Sequence, residues 1–148
     1  MKKTLTALFL TLPCFAVSAN ALDELTINKL AANPETKAEF RKMTADHQLP
    51  EWVTDGGTDS QNQRVNIDGH PYLVLTSCKP HDCASQRMAV LYATETKKLA
   101  GVFSTAKAND EKLQWLNMSD ALSVNGKTVL FAALTGSLDN HPGQFSFE

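Results

Sequence analysis

The chain has 148 residues, 43% of them hydrophobic, with 14 Lys and Arg against 16 Asp and Glu for a net charge of −2. That length provides for one domain of ordinary size. The mild acidity excludes the basic footprint by which proteins hold nucleic acid or anionic membrane surfaces.

The chain opens with Lys2 and Lys3, a largely apolar run from Leu5 to Val17, and then small residues. A basic start, a short apolar core and a small-x-small exit make the pattern of a cleavable signal peptide. Val17-Ser18-Ala19 and Ala19-Asn20-Ala21 both fit the exit. The expectation is cleavage after Ala21, with residues 1–21 removed and residues 22–148 forming one domain. The apolar run is too short for a typical membrane span, and no later segment is long enough. Cys14 follows Thr11-Leu12-Pro13 rather than the small residues a lipid-modified cysteine wants, so it is expected to leave with the leader. The mature balance is then 12 basic to 16 acidic residues, a net charge of −4 that favours encounter with basic partners.

In the mature chain, Leu25, Ile27, Leu30 and Ala31 give residues 22–32 the spacing of a short amphipathic helix. Asn33-Pro34 reads as an N-cap followed by proline at the first helical position. Phe40, Met43 and His47 then share one face of a second helix, which ends before Leu49-Pro50. His47 reads as a partly buried structural histidine.

Asp55-Gly56-Gly57 is a loop of turn formers, after which the period changes to two. Val65 and Ile67 alternate with polar neighbours, Asp68-Gly69 is a two-residue hairpin signal, and residues 72–76 return as an almost wholly apolar strand. Further strands fit residues 86–92, 99–104 and 112–116, giving an antiparallel meander of about five strands after the helices. Ser119 is placed to cap a short helical turn through Leu122. Asn125-Gly126 suggests a hairpin, yet residues 128–134 run without a polar break after Thr128, and periodicity does not decide between buried helix and buried strand.

Between the second and third strands lies Cys78-Lys79-Pro80-His81-Asp82-Cys83. Cys78 and Cys83 are the two cysteines left after export, and an even count in an oxidising compartment predicts a disulfide between them. A ring this small is worth roughly 2 kcal/mol in the chain-entropy view, so stiffness of the loop is the larger gain.

Residue types alone leave several readings of this loop open. Cys78, His81 and Cys83 are possible metal ligands, with His70 and His141 as further candidates, although the spacing does not match the common zinc pattern and a disulfide would consume both thiolates. The sequence has no nucleophile elbow, phosphate loop, dinucleotide fingerprint or Cys-x-x-Cys, and no cofactor is implied. The plainest reading is a stapled loop on an exported α+β domain, with His81 a solvated surface residue.

The loop does not stand alone. Together with Asp23-Glu24-Leu25-Thr26-Ile27, Gly101-Val102-Phe103-Ser104-Thr105, Lys112-Leu113-Gln114-Trp115-Leu116, the run from Lys127 to Leu138 and Asn140-His141-Pro142, it resembles the inhibitor of vertebrate lysozyme family over nearly the whole mature chain. The resemblance implies a periplasmic protein inhibitor of chicken-type lysozymes, not an enzyme. It implies a five-stranded antiparallel meander between helical layers, with two helices before the sheet and two after, three layers in all. It also implies a helix from about Lys127 to Thr135 rather than a hairpin. By the same resemblance Cys78 and Cys83 hold a loop that enters the target's cleft, His81 meets the two catalytic carboxylates, and Asp82 adds a polar contact. Two variants of this reading stay open: endogenous lytic transglycosylases as targets, and a homodimer built on the helical layers.

Overall fold

The computed structural model describes residues 19–148. Three short α-helices come first: α1 (Ala19–Asp23), α2 (Ile27–Ala32) and α3 (Lys37–Thr44), followed by a 3₁₀ turn at Glu51–Val53. Six strands follow, β1 (Thr58–Asp59), β2 (Gln63–Ile67), β3 (His70–Cys78), β4 (Gln86–Ala93), β5 (Leu99–Lys107) and β6 (Asp110–Leu116). A 3₁₀ turn at Asp120–Leu122, α4 (Asn125–Thr135), α5 (Ser137–Asn140) and a last 3₁₀ turn at Pro142–Gln144 complete the α+β chain.

The expected first helix is two helices, broken where Thr26 accepts a hydrogen bond from Lys29 N at 3.2 Å and so starts α2. Asn33-Pro34 does not start α3. The Asn33 backbone closes α2 on Lys29 O, and its side chain accepts from Glu35 N at 2.9 Å, a local turn that delays the next helix to Lys37. Thr36, which precedes α3, is buried and donates its hydroxyl to Leu30 O at 2.7 Å, tying the two helices together. Because α3 ends at Thr44, His47 lies beyond the helix in a half-buried bend.

All strand pairings within the sheet are antiparallel, in the order β1-β3-β4-β5-β6, with β2 also on β3. The sheet therefore has six strands where five were expected. The addition is the two-residue β1, which pairs Thr58 with Cys78 and Asp59 with Ser77 beyond the end of β2. Asp68 and Gly69 form the hairpin turn with φ of 53° and 78°, the positive values that a tight connection matching strand twist demands.

Alternation along the strands divides the apolar residues into two clusters. Leu73, Leu75, Met88, Val90 and Phe103 join Ile27, Leu30, Phe40, Met43 and Trp52. Val74, Ala89, Leu91, Ala100 and Val102 join Val129, Leu130, Leu134 and Leu138. The central strands β3, β4 and β5 contribute to both clusters, which explains why they read as continuous apolar runs.

Residues 125–135 are helical, which corrects the hairpin suggested by Asn125-Gly126. A Cβ on Gly126 would sit 2.7 Å from Leu122 Cβ, so this glycine lets α4 press against the preceding 3₁₀ turn rather than making a bend. Ser119 does precede the turn ending at Leu122, but its side chain makes no capping hydrogen bond. None of the helices among the described residues is long and apolar enough to cross a membrane. The expected leader falls mostly outside the described residues, with only Ala19 to Ala21 of it inside α1.

Candidate functional site

β3 ends on Cys78 and β4 begins on Gln86, so residues 79–85 are a hairpin connection at one end of the sheet. The ladder continues one step past the last strand pair, because Lys79 N donates to Gln86 O at 3.1 Å. Two successive turns then fill the connection. In the first, Asp82 N donates to Lys79 O at 3.0 Å, with Pro80 and His81 as the central residues. In the second, Ser85 N donates to Asp82 O at 3.1 Å.

The first turn has the pattern of type II. Proline at the second position fixes φ in advance, and the third position requires a positive φ. That third position is normally glycine or asparagine, yet here it is His81 with φ 62°. A side chain in this left-handed region costs about 1–2 kcal/mol, and glycine would have avoided it. Strain of this kind persists where surrounding structure enforces it, and it is enriched at functional positions. The result is an exposed imidazole at the apex of a fixed turn.

Three devices hold the turn. The Cys78–Cys83 disulfide closes it with a Cα–Cα distance of 4.9 Å, within the ordinary range for such bridges. The Asp82 carboxylate accepts from Ser85 Oγ at 2.6 Å and from Lys79 Nζ at 3.1 Å, binding two other loop residues to one anion. The Ser85 bond, with that of Lys79 behind it, lowers the Asp82 pKa, so the carboxylate stays ionised. Finally, Ala106 N donates to Ser85 O at 2.8 Å and moors the outgoing leg to β5.

The six residues singled out in the sequence, Cys78, Lys79, Pro80, His81, Asp82 and Cys83, are therefore gathered in one structure. The additional metal candidates are not gathered with them. His70 starts the strand that Cys78 ends, eight residues away, or about 26 Å at the rise of an extended strand. His70 instead faces Glu95, with Nδ1 3.4 Å from Oε2. His141 is exposed ahead of the last 3₁₀ turn. Among the described residues no three His, Cys, Asp or Glu side chains converge as a metal site would require. The disulfide also occupies both sulfurs.

Residues 35–133 match the family model described as inhibitor of vertebrate lysozyme (Ivy). A protein of Escherichia coli strain K12 named inhibitor of vertebrate lysozyme is 53% identical over 135 residues, covering 90% of this chain and 86% of the relative. A protein of Pseudomonas aeruginosa with the same name is 30% identical over 86 residues, covering 57% of this chain and 56% of the relative. The chain belongs to the inhibitor of vertebrate lysozyme family.

In this member of the Ivy family, sequence reasoning missed the residues that fix the loop from outside the cysteine ring. Ser85 supplies the hydroxyl that engages Asp82, and only the Asp-x-x-Ser spacing of a turn could have hinted at it. Arg87, the strand partner of Cys78, donates from Nη1 to Leu134 O at 2.7 Å and from Nη2 to Glu111 at 3.0 Å. That guanidinium braces the base of the loop against the end of α4 and against β6. No local sequence signal links those segments.

Proposed function

We propose that this chain inhibits chicken-type lysozyme by placing the disulfide-closed loop 78–83 in the active-site cleft, with His81 between the two catalytic carboxyl groups. The observation that carries the reading is His81, exposed and held at φ 62° on the apex of a ring-closed turn. The family membership and the names of the relatives point to the same target.

The chemistry fits without any covalent step. A retaining glycosidase presents two carboxyl groups about 5 Å apart in a groove. An imidazolium carries N–H donors on opposite sides of a small flat ring and can face both. Hydrogen bonds between ions are the stronger kind, and the groove excludes water that would weaken them. Because Pro80, the disulfide and the Asp82 network have already ordered the loop, less entropy is lost on docking. Asp82, engaged by Lys79 and Ser85, acts in this scheme chiefly by shaping the turn.

The remaining parts of the reading follow from export. Cleavage after Ala21 releases a periplasmic protein of residues 22–148, where the disulfide persists. The two apolar clusters support three layers, a five-strand meander flanked by helices, with β1 as an outlying addition. Endogenous lytic transglycosylases also use a cleft carboxylate and form a second target class for the same finger.

The decisive experiment measures inhibition of chicken-type lysozyme by the oxidised mature protein, with a reduced and alkylated sample beside it. The oxidised form should inhibit competitively and the reduced form at least tenfold more weakly. Absence of inhibition by the oxidised form would overturn the target assignment, and equal inhibition by both forms would overturn the role of the ring.

A further inference from the structure

We infer that Trp52, a core residue distant in sequence from the loop, is a positioning residue that pins both legs of the inhibitory turn; the inference rests on the inhibitory role proposed above. Trp52 stands in the 3₁₀ turn Glu51–Val53, which follows Pro50 and is held by Val53 N donating to Pro50 O at 3.1 Å. Trp52 is 8% exposed, and its ring packs 6.0 Å from that of Phe103.

On the outgoing leg, Trp52 Nε1 donates to Gln86 Oε1 at 2.8 Å. Gln86 is the residue whose backbone oxygen receives Lys79 N, the bond that closes the hairpin beneath the turn. Gln86 also pairs with Thr105 on β5. The indole therefore holds a residue that meets both the incoming leg and the neighbouring strand.

On the incoming leg, the contact runs through Gly57. A Cβ there would lie 2.4 Å from Ser77 Oγ, 3.0 Å from Trp52 O and 3.1 Å from Trp52 Cε3. Gly57 is thus clasped between Trp52 and Ser77, and the next residue, Thr58, pairs with Cys78. Ser77 is 4% exposed, and its hydroxyl has no hydrogen-bond partner among the described residues, so its side chain meets Gly57 by contact alone while the backbone of this leg is held by the strand ladder. The outgoing leg is thus hydrogen-bonded to the Trp52 side chain, and the incoming leg meets Trp52 through Gly57. Because His81 must reach its target with the turn already formed, slack at this base should appear as lost affinity rather than lost fold.

The test uses the full mature protein with three substitutions, Trp52→Phe, Gln86→Leu and Gln86→Glu. Phenylalanine keeps most of the packing against Phe103 and removes the N–H donor; leucine removes the acceptor; glutamate restores an oxygen at the same reach. Two quantities are read, the inhibition constant against chicken-type lysozyme and the hydrogen exchange of the Lys79 and Asp82 amides. Trp52→Phe and Gln86→Leu should each weaken inhibition about tenfold and speed exchange at both amides. Combined, they should be no worse than either alone, because both remove one bond. Gln86→Glu should behave like the parent. Unchanged exchange at Lys79 and Asp82, additive losses in the double variant, or failure of glutamate to rescue would each overturn the inference. Should Trp52→Phe fail to fold, the two Gln86 variants carry the same decision. If the parent itself does not inhibit lysozyme, the proposed function falls, while the exchange data still decide whether Trp52 governs the loop.

Discussion

Replacing His81 separates the imidazole from the turn that carries it. The usual alanine substitution confounds the two, because alanine at φ 62° keeps the strain while losing the ring. Asparagine tolerates the left-handed region, and glycine removes the penalty of about 1–2 kcal/mol altogether. Against that relief stands the extra freedom glycine gives the unfolded chain, about 0.4–1 kcal/mol. His81→Gly should therefore leave stability unchanged or raise it by up to about 1.6 kcal/mol, the difference of those two figures. Inhibition should move the other way. Two hydrogen bonds to ionised carboxyl groups are worth about 1.5–3 kcal/mol each, and at the low end their joint loss weakens binding by roughly 100-fold. The assay is competitive inhibition of chicken-type lysozyme by both variants, with thermal melting of each recorded beside it. A His81→Asn or His81→Gly protein that inhibits within threefold of the parent would show that loop shape alone blocks the cleft. A clear fall in melting temperature for His81→Gly would refute the strain assignment.

Three further outcomes are expected. In Ser85→Ala, Asp82 loses the hydroxyl that contributes most to lowering its pKa, so its carboxyl titration, followed by carbon-13 NMR, should move up toward the ordinary range. Because a lowered carboxyl pKa stabilises only while the group is ionised, the difference between parent and variant should be full at neutral pH and vanish as pH falls through the lowered value. If lysozyme's carboxylates hold His81 protonated, complex formation takes up a proton. Affinity should then fall as pH rises and that proton is lost. Calorimetry in two buffers of different ionisation heat reads that uptake directly, and no uptake means a neutral ring. In Gly126→Ala, better helix propensity offers up to about 1 kcal/mol. A Cβ 2.7 Å from Leu122 Cβ meets overpacking of about 1–3 kcal/mol, so the melting temperature should fall; a rise would mean that the 3₁₀ turn yields freely.

Residue order alone fixed a good deal of this protein. The alternation at Val65 and Ile67, the Asp68-Gly69 turn and the apolar runs that follow were enough to place the meander, because strand period and hairpin chemistry are local properties. The cysteine pair likewise announced a loop closed by a disulfide. What lay beyond reach was anything set by segments far apart in the chain. Asn33-Pro34 looked like a helix start because its side chain can cap; only the fold shows Asn33 closing α2 and turning back on Glu35. Asn125-Gly126 looked like a hairpin because that dipeptide favours positive φ, whereas the glycine serves contact with Leu122. The two-residue β1 was too short for any periodic signal, and exists because Thr58 is delivered alongside Cys78. The chemical identity of the loop was written in six consecutive residues. Its rigidity depends on Trp52, Ser85 and Arg87, and on how strand register brings an indole, a hydroxyl and a guanidinium to its base, since the bonds they form join positions no local pattern connects.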